Sequence, residues 1–110
     1  MIETFQELGL PQYLLNAIKE LGFEKPTPVQ ERIIPTLLEN KETNIVCLAQ
    51  TGTGKTAAFG LPTLASLDTN NPNIQALVLS PTRELCKQIT GDLKNYAQYK
   101  KGFAIVDVYG

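Results

Sequence analysis

Several residue types that carry enzyme chemistry are scarce or missing in this 110-residue chain. It has no histidine, no tryptophan, one methionine and two cysteines. Without histidine, the chain itself cannot form a Ser-His or Cys-His nucleophile pair, a histidine-ligated zinc site or an imidazole general base. Cys47 and Cys86 are far apart in apolar surroundings, so we expect buried, reduced thiols and no disulfide framework.

A strong excess of charge and long apolar runs are also missing. Ten Lys and Arg against 11 Asp and Glu give a net charge of −1, unlike a strongly basic nucleic-acid module. Any contact with nucleic acid must therefore be a local site. The first residues lack the basic and apolar regions of a signal peptide, and no apolar run approaches the ~18 residues of a membrane span. We expect a cytoplasmic protein with no membrane partner.

Helical signals come first along the chain. Pro11 is predicted to open a helix that stops before Gly22, with Leu14, Ala17, Ile18 and Leu21 on its apolar face. Thr27, Pro28 and Gln30 have the spacing of a capping box at the start of a second helix. Pro35 predicts a kink or an early end in that helix. Further helices are predicted over 54–67, distorted by Gly60 and Pro62, and over 83–99.

Two short apolar runs, at 44–49 and 75–80, are typical of buried strands, and 103–108 is predicted to be a third strand. They alternate with the later helices, which implies parallel pairing through right-handed crossovers and an α/β fold. We therefore divide the chain into a helical segment, 1–42, and an α/β segment, 43–110. A chain of this length supports one structural domain overall.

Residues 49–56 (AQTGTGKT) carry the strongest chemical signal. They match the phosphate-loop pattern G-x-x-x-x-G-K-[ST] except that alanine replaces the first glycine, and they lie between a predicted strand and a predicted helix. Backbone N–H groups of such a loop can surround a phosphate where glycines keep side chains away. Lys55 supplies a cation for the outer phosphates, and the Thr56 hydroxyl can ligate Mg²⁺. The alternative is a plain strand-to-helix turn with a surface lysine.

Residues 22–30 (GFEKPTPVQ) form the second candidate stretch. A helix stop, a turn and a capping box account for all of them structurally. Beside a phosphate loop, however, the Gln30 carboxamide offers the donor and acceptor that match the N6 and N7 edge of adenine. Phe5 or Phe23 could supply an aromatic face for the base.

Residues 81–88 (PTRELCKQ) form the third stretch, where a predicted strand gives way to a helix. A helix N-terminus with Thr82 and Arg83 suits a contact with a phosphate backbone. Taken alone, the stretch is equally well explained as a capped helix with a solvated first turn.

In this order, the three stretches resemble the motifs of the DEAD-box family of ATP-dependent RNA helicases. Residues 49–56 resemble the nucleotide loop, residues 22–30 the Q motif that reads adenine, and residues 81–88 the RNA-contacting motif PTRELxxQ. Tyr109 and Gly110 resemble the start of a further RNA-contacting element. The departures are small: Cys86 stands where alanine is usual, and Leu10 where a capping serine is frequent.

The resemblance implies a RecA-like P-loop NTPase fold, with a parallel sheet flanked by helices and truncated after its third strand. It implies ATP and Mg²⁺ as cofactors, RNA held by its backbone, and Lys55 and Thr56 as catalytic residues, with Thr56 at the metal. Phe5 would stack on adenine, and the Lys25 main chain with the Gln30 amide would bind the edge of the base. The expected nucleotide-binding residues are Phe5, Phe23, Lys25, Thr27, Gln30, Gln50, Thr51, Gly52, Thr53, Gly54, Lys55 and Thr56. Those expected at the RNA are Pro81, Thr82, Arg83 and Gly110.

The Asp-Glu-Ala-Asp and Ser-Ala-Thr motifs of that family do not occur in the sequence. We therefore interpret the chain as the N-terminal part of the first RecA-like domain, which needs the remainder of the helicase core as its partner. It is expected to bind ATP weakly without hydrolysing it, because phosphoryl transfer requires charge stabilisation from several sides. Alternatives are another P-loop nucleotide-binding enzyme such as a small kinase, a non-catalytic nucleotide-binding module, or a helicase of a neighbouring family that acts on DNA.

Overall fold

The computed structural model describes residues 4–40, 44–46 and 54–109. A 3-10 turn, Phe5–Leu8, precedes four α-helices in the described part of the chain. They are α1 (Gln12–Glu20), α2 (Pro28–Glu39), α3 (Lys55–Ala65) and α4 (Arg83–Tyr96). The four helices lie where the sequence predicts helices, with differences at the ends.

Helix α1 is amphipathic in the expected register. Leu14, Ala17 and Ile18 are buried, whereas Leu21 is exposed beyond the end of the helix. Pro11 caps the helix and does not open it: its ψ of 156° is extended, so the first helical residue is Gln12. The Tyr13 hydroxyl donates a hydrogen bond of 3.1 Å to the Leu64 carbonyl, which ties α1 to α3. Burial raises the pKa of this phenol.

Helix α2 begins with the predicted capping box. The Thr27 hydroxyl accepts a hydrogen bond of 3.4 Å from the Gln30 N–H, and the Gln30 carboxamide oxygen accepts one of 2.9 Å from the Thr27 N–H. These reciprocal bonds satisfy two donors that a helix N-terminus leaves without intrahelical partners. An early end at Pro35 is not observed, because α2 continues to Glu39.

Helices α3 and α4 pack closely at Gly60. A Cβ at this position would lie 2.7 Å from Leu93 Cδ2, so a larger residue would require the end of the Leu93 side chain to shift. Helix α3 retains both Gly60 and Pro62 within its length, as expected. Helix α4 begins after Thr82, whose hydroxyl accepts a hydrogen bond of 3.1 Å from the Leu85 N–H, and it ends three residues before the predicted position.

The described core is built from apolar side chains of the 3-10 turn and of α1 to α4. Its fully buried members are Leu14, Ile18, Ile34 and Leu61, and Phe5, Leu64 and Tyr96 join the same cluster. These residues come from both 1–42 and 43–110, so the two segments share one core. The division into those segments stays a prediction.

The predicted strands are not confirmed. Residues 44–46, 75–80 and 103–108 have no regular secondary structure, and 47–49 lie outside the described residues. The prediction that the first two runs are buried is wrong for the described residues, since Val46 and Leu79 are 93% and 85% exposed. A strand needs backbone hydrogen bonds to a neighbour, whereas a helix supplies its own. The segments 74–80 and 103–106, together with Val108, instead line an open groove of about 830 Å³ beside α3 and α4.

Among the described residues, no helix combines the length and the apolar composition needed to cross a bilayer.

Candidate functional site

Gln30 joins two of the three candidate stretches. Its carboxamide nitrogen donates a hydrogen bond of 3.3 Å to the carbonyl of Gly54, 24 residues further along the chain. The side chain is buried, with 3% of its surface exposed. The start of α2 and the end of the candidate phosphate loop are therefore in direct contact.

Gly54 provides the turn at which the loop enters α3. Its φ of +85° lies in the left-handed region that favours glycine. A Cβ at Gly54 would collide with the Gln30 carboxamide nitrogen and would lie 3.1 Å from the Thr27 hydroxyl oxygen. Glycine is therefore favoured at this position for two reasons. It adopts the positive φ, and it leaves room for the side chains of Gln30 and Thr27.

The first turn of α3 has the features of an anion site. Gly54 precedes the helix without a side-chain cap, and Lys55 is exposed at its first residue. Helix N-termini attract anions because their N–H groups point outward and carry partial positive charge. A phosphate group fits these donors, and the hydroxyl of Thr56, which is half-buried, is an oxygen of the kind that binds Mg²⁺. Gln50, Thr51, Gly52 and Thr53 lie outside the described residues.

The two candidate aromatic residues contact each other. The rings of Phe5 and Phe23 have centroids 5.8 Å apart and planes inclined by 45°. Phe5 belongs to the core, with 6% of its surface exposed, whereas Phe23 is half-buried. Lys25 is exposed in the turn that leads to the capping box at Thr27. The expected adenine-binding residues are therefore grouped around the start of α2.

The third stretch is accessible to solvent. Pro81, Thr82 and Arg83 are all exposed at the start of α4, and the Ser80 hydroxyl donates a hydrogen bond of 3.3 Å to the Thr82 carbonyl. Gly110, the fourth residue expected at the RNA, lies outside the described residues.

Tyr96 connects the turn of the second stretch to α4, and the sequence analysis missed it. The ring of Phe23 meets that of Tyr96 edge to face, with centroids 6.1 Å apart. Burial and, to a smaller extent, the negative charge of Asp92 raise the pKa of Tyr96 to about 12. Tyr96 follows Ile89 by seven residues, which places both on one face of a helix. This spacing could have identified Tyr96 as a residue that packs against the core.

Comparison with known proteins identifies the family. The model of the DEAD/DEAH box helicase family matches residues 27–110. The ATP-dependent RNA helicase CshA of Limosilactobacillus reuteri is 52% identical over 106 residues, which cover 96% of this chain and 21% of that protein. The chain belongs to the DEAD/DEAH box helicase family, and it spans about a fifth of the length of this relative.

Solved structures of helicases share the fold. Saccharomyces cerevisiae Dbp5 bound to RNA and ADP BeF3 superposes with a TM-score of 0.86 at 39% identity, over 90% of this chain and 25% of that one. Prp28 of Chaetomium thermophilum bound to ADP gives a TM-score of 0.84 at 38% identity, over 97% and 26% respectively. These similarities support the expected RecA-like α/β class; the sheet and the truncation stay predictions.

Proposed function

We propose that this chain forms the nucleotide-binding part and one RNA-backbone contact of an ATP-dependent RNA helicase. The single observation that carries the proposal is the hydrogen bond from Gln30 to Gly54. It brings the stretch expected to read adenine against the loop expected to hold the phosphates. A nucleotide needs both at once, because its base and its phosphate tail are covalently joined.

Adenine recognition by Gln30 is compatible with the bonds that the side chain already makes. A carboxamide has two N–H donors and two lone pairs on its oxygen. One donor is used at Gly54 and one lone pair at Thr27, which leaves one of each. Adenine presents an N6 donor and an N7 acceptor at one edge, whereas guanine presents two acceptors there. The remaining pair on Gln30 therefore favours adenine.

The aromatic and main-chain contacts complete the proposed base site. Phe5 would stack on the ring and the Lys25 main chain would bond its edge, with Phe23 behind Phe5. Their grouping around the start of α2 supports this assignment, and the low exposure of Phe5 means that stacking requires its ring to become accessible.

Lys55 and Thr56 are the residues proposed to hold the phosphates and the metal. Both lie in the first turn of α3, where the helix N-terminus also favours negative charge. The lysine supplies a compact positive charge and the threonine a neutral oxygen ligand. Mg²⁺ would neutralise phosphate charge when bound. Gln50, Thr51, Gly52 and Thr53 are proposed to donate backbone N–H groups around the phosphates.

ATP hydrolysis is not expected from these 110 residues alone. Lys55 and the loop stabilise one side of the transferred phosphoryl group, whereas its transition state carries charge on several oxygens. The sequence has no Asp-Glu-Ala-Asp stretch to orient a metal and the attacking water. We propose that the remainder of the helicase core supplies the other sides.

Titration with a fluorescent ATP analogue and Mg²⁺ tests the nucleotide site. We expect weak, saturable binding and no phosphate release above background. Q30A is expected to weaken ATP binding about ten-fold more than GTP binding, because a bidentate amide contact discriminates between bases by roughly 1–3 kcal/mol, whereas loss of the bonds to Thr27 and Gly54 affects both nucleotides.

The matched control is Q12A, since Gln12 is an exposed glutamine that bonds Asn16 on α1. Circular dichroism establishes that each variant is folded before its affinity is compared. Equal losses for ATP and GTP would contradict adenine reading by Gln30. Phosphate release by the chain alone would contradict the expected inactivity.

A further inference from the structure

One exposed aromatic ring contacts two cations of α4. The guanidinium carbon of Arg83 and the ammonium nitrogen of Lys87 each lie 5.1 Å from the centroid of the Tyr109 ring. Both distances fall within the ~6 Å at which the electron-rich face of an aromatic ring attracts a cation. Tyr109 therefore joins the end of the described chain to the first two turns of α4.

The two cations are close enough on α4 to repel each other, and the shared ring offsets that repulsion. Arg83 and Lys87 are four residues apart, so they lie one above the other on the same face of α4. Like charges at this spacing repel, and Arg83 is also the first residue of the helix, where positive charge is disfavoured. The ring opposes both effects without adding a formal negative charge of its own. A carboxylate in its place would attract the same cations but would cancel their charge toward a ligand.

All three side chains remain accessible. Arg83 and Lys87 are exposed, and 46% of the Tyr109 surface faces solvent. Arg83 directly follows Pro81 and Thr82, which are expected to contact an RNA backbone. The charged groups can therefore meet an incoming phosphate without a rearrangement of the core.

We infer that Tyr109 is a positioning residue that holds Arg83 and Lys87 as a pair for successive phosphates of an RNA strand. This inference rests on the proposed function and extends it, because it adds Lys87 to the contact and gives Tyr109 an indirect role. The ring restricts the two long side chains before binding, so less conformational freedom is lost when the phosphates arrive. Ring and phosphates act on different parts of each cation, so both contacts persist in the complex.

Four variants separate this role from simple packing. Y109L removes the ring and keeps an apolar side chain, whereas Y109F keeps the ring and removes only the hydroxyl. K87Q removes the second cation. Y99L is the matched control, since Tyr99 is 50% exposed but follows the far end of α4. Binding of a fluorescent oligouridylate to the 110-residue chain is followed by anisotropy between about 50 and 200 mM salt, with a thermal melt of each variant.

The expected pattern has three parts. Y109L weakens RNA binding about 2- to 5-fold, the range corresponding to one exposed cation–π contact. Y109F and Y99L stay within about two-fold of the unchanged chain, so the conservative variant retains the function. K87Q lowers the slope of log K against log salt by about 0.7, the value expected for one phosphate contact on a single strand.

Other results overturn the inference or the proposed function separately. If the unchanged chain binds RNA and Y109L binds equally well, or if Y109F is as weak as Y109L, the positioning role is wrong. An unaltered salt slope in K87Q removes Lys87 from the contact. If Y109L loses affinity only in proportion to a lower melting temperature, Tyr109 is a packing residue. No salt-dependent RNA binding by the unchanged chain would overturn the proposed RNA contact itself.

Discussion

The four helices and the segments 74–80 and 103–109 differ in how their apolar residues are covered. In the helices, one face packs into a shared core that includes Leu14, Ile34 and Leu61. In the two segments, by contrast, Leu79 and Val108 are each 85% exposed. A helix satisfies its backbone internally and needs only one covered face, whereas a buried strand needs neighbours at both edges and on both faces. The helices therefore each have a covered apolar face, whereas part of the apolar surface of the two segments faces solvent.

Truncation of a core leucine should give the largest loss of stability, and it tests whether the apolar faces of the helices are packed in solution. L61A should lower the free energy of unfolding by about 2–5 kcal/mol, because it removes buried surface and leaves a cavity. The control L77A changes an exposed leucine and should stay within about 0.5 kcal/mol. Urea denaturation followed by circular dichroism measures both. A comparable loss in L77A would mean that the segments are packed in solution, and the contrast would fail.

A side chain at Gly54 should give the next largest loss of stability, since it strains the contact between the start of α2 and the start of α3. G54A has to adopt a φ of +85° and also displace the Gln30 amide. Gly22 has a φ of +90° and no atom within 4 Å of the position that a Cβ would take, so it isolates the backbone cost. We expect G22A to lose about 1–2 kcal/mol of unfolding free energy and G54A to lose more, together with nucleotide binding.

The double variant G54A/Q30A tests the origin of that difference. If the collision with Gln30 causes the extra loss in G54A, removal of the amide should recover part of it, whereas Q30A should not improve G22A. Urea midpoints of the unchanged chain, the three single variants and the double variants G54A/Q30A and G22A/Q30A, six proteins in all, provide the two cycles. Equal losses in G22A and G54A would show that the amide moves aside at no cost and that the close approach is unimportant for stability.

The sequence predicts features that depend on neighbouring residues better than features that depend on distant segments. The capping box of Thr27 and Gln30, the glycine after α1 and the cap at Thr82 are local patterns, and each appears where expected. The apolar runs at 75–80 and 103–108 predict a tendency to form strands. Pairing depends on which other segments lie beside them, and that information is not contained in the runs themselves.

The candidate site shows the same division. Gln30, Gly54 and Lys55 are recognisable from motif spacing, and the structure brings the first two into contact. Motif spacing identifies neither Tyr96 nor the contact of Tyr109 with the cations of α4, because the partners of these two rings are distant in sequence. Only the tertiary packing makes them neighbours.

High pH should lower the free energy of unfolding by a smaller amount. It tests the packing of Tyr96 against Phe23 in the core. The pKa of Tyr96 is raised to about 12, whereas an unfolded tyrosine titrates near 10. The stabilisation associated with the neutral phenol is thus fully present below pH ~10 and is lost as the pH rises to ~12, because only the unfolded state ionises in that window. The limiting change is roughly 2–3 kcal/mol.

Tyr96 can be separated from other groups that titrate in alkali by comparing the chain with Y96F. The urea midpoint of the unchanged chain should fall relative to that of Y96F from pH 9 to pH ~11, since phenylalanine does not titrate. Absorbance at the phenolate band gives the pKa directly. A constant difference would show that Tyr96 titrates normally and that the ring is less enclosed than its contact with Phe23 indicates.

Introducing a charge into the segments 74–80 and 103–109 should have the smallest effect on stability. Its main effect should be on self-association. Unpaired apolar segments favour contact between molecules, so we expect the light-scattering mass of the chain to rise with concentration. L79K and V108K should suppress that rise while shifting the free energy of unfolding by no more than about 0.5 kcal/mol, since both side chains already face solvent. N73K adds the same charge at a polar, exposed position and should suppress the rise much less. A chain that stays monomeric at every concentration would show that these segments find their cover within the molecule.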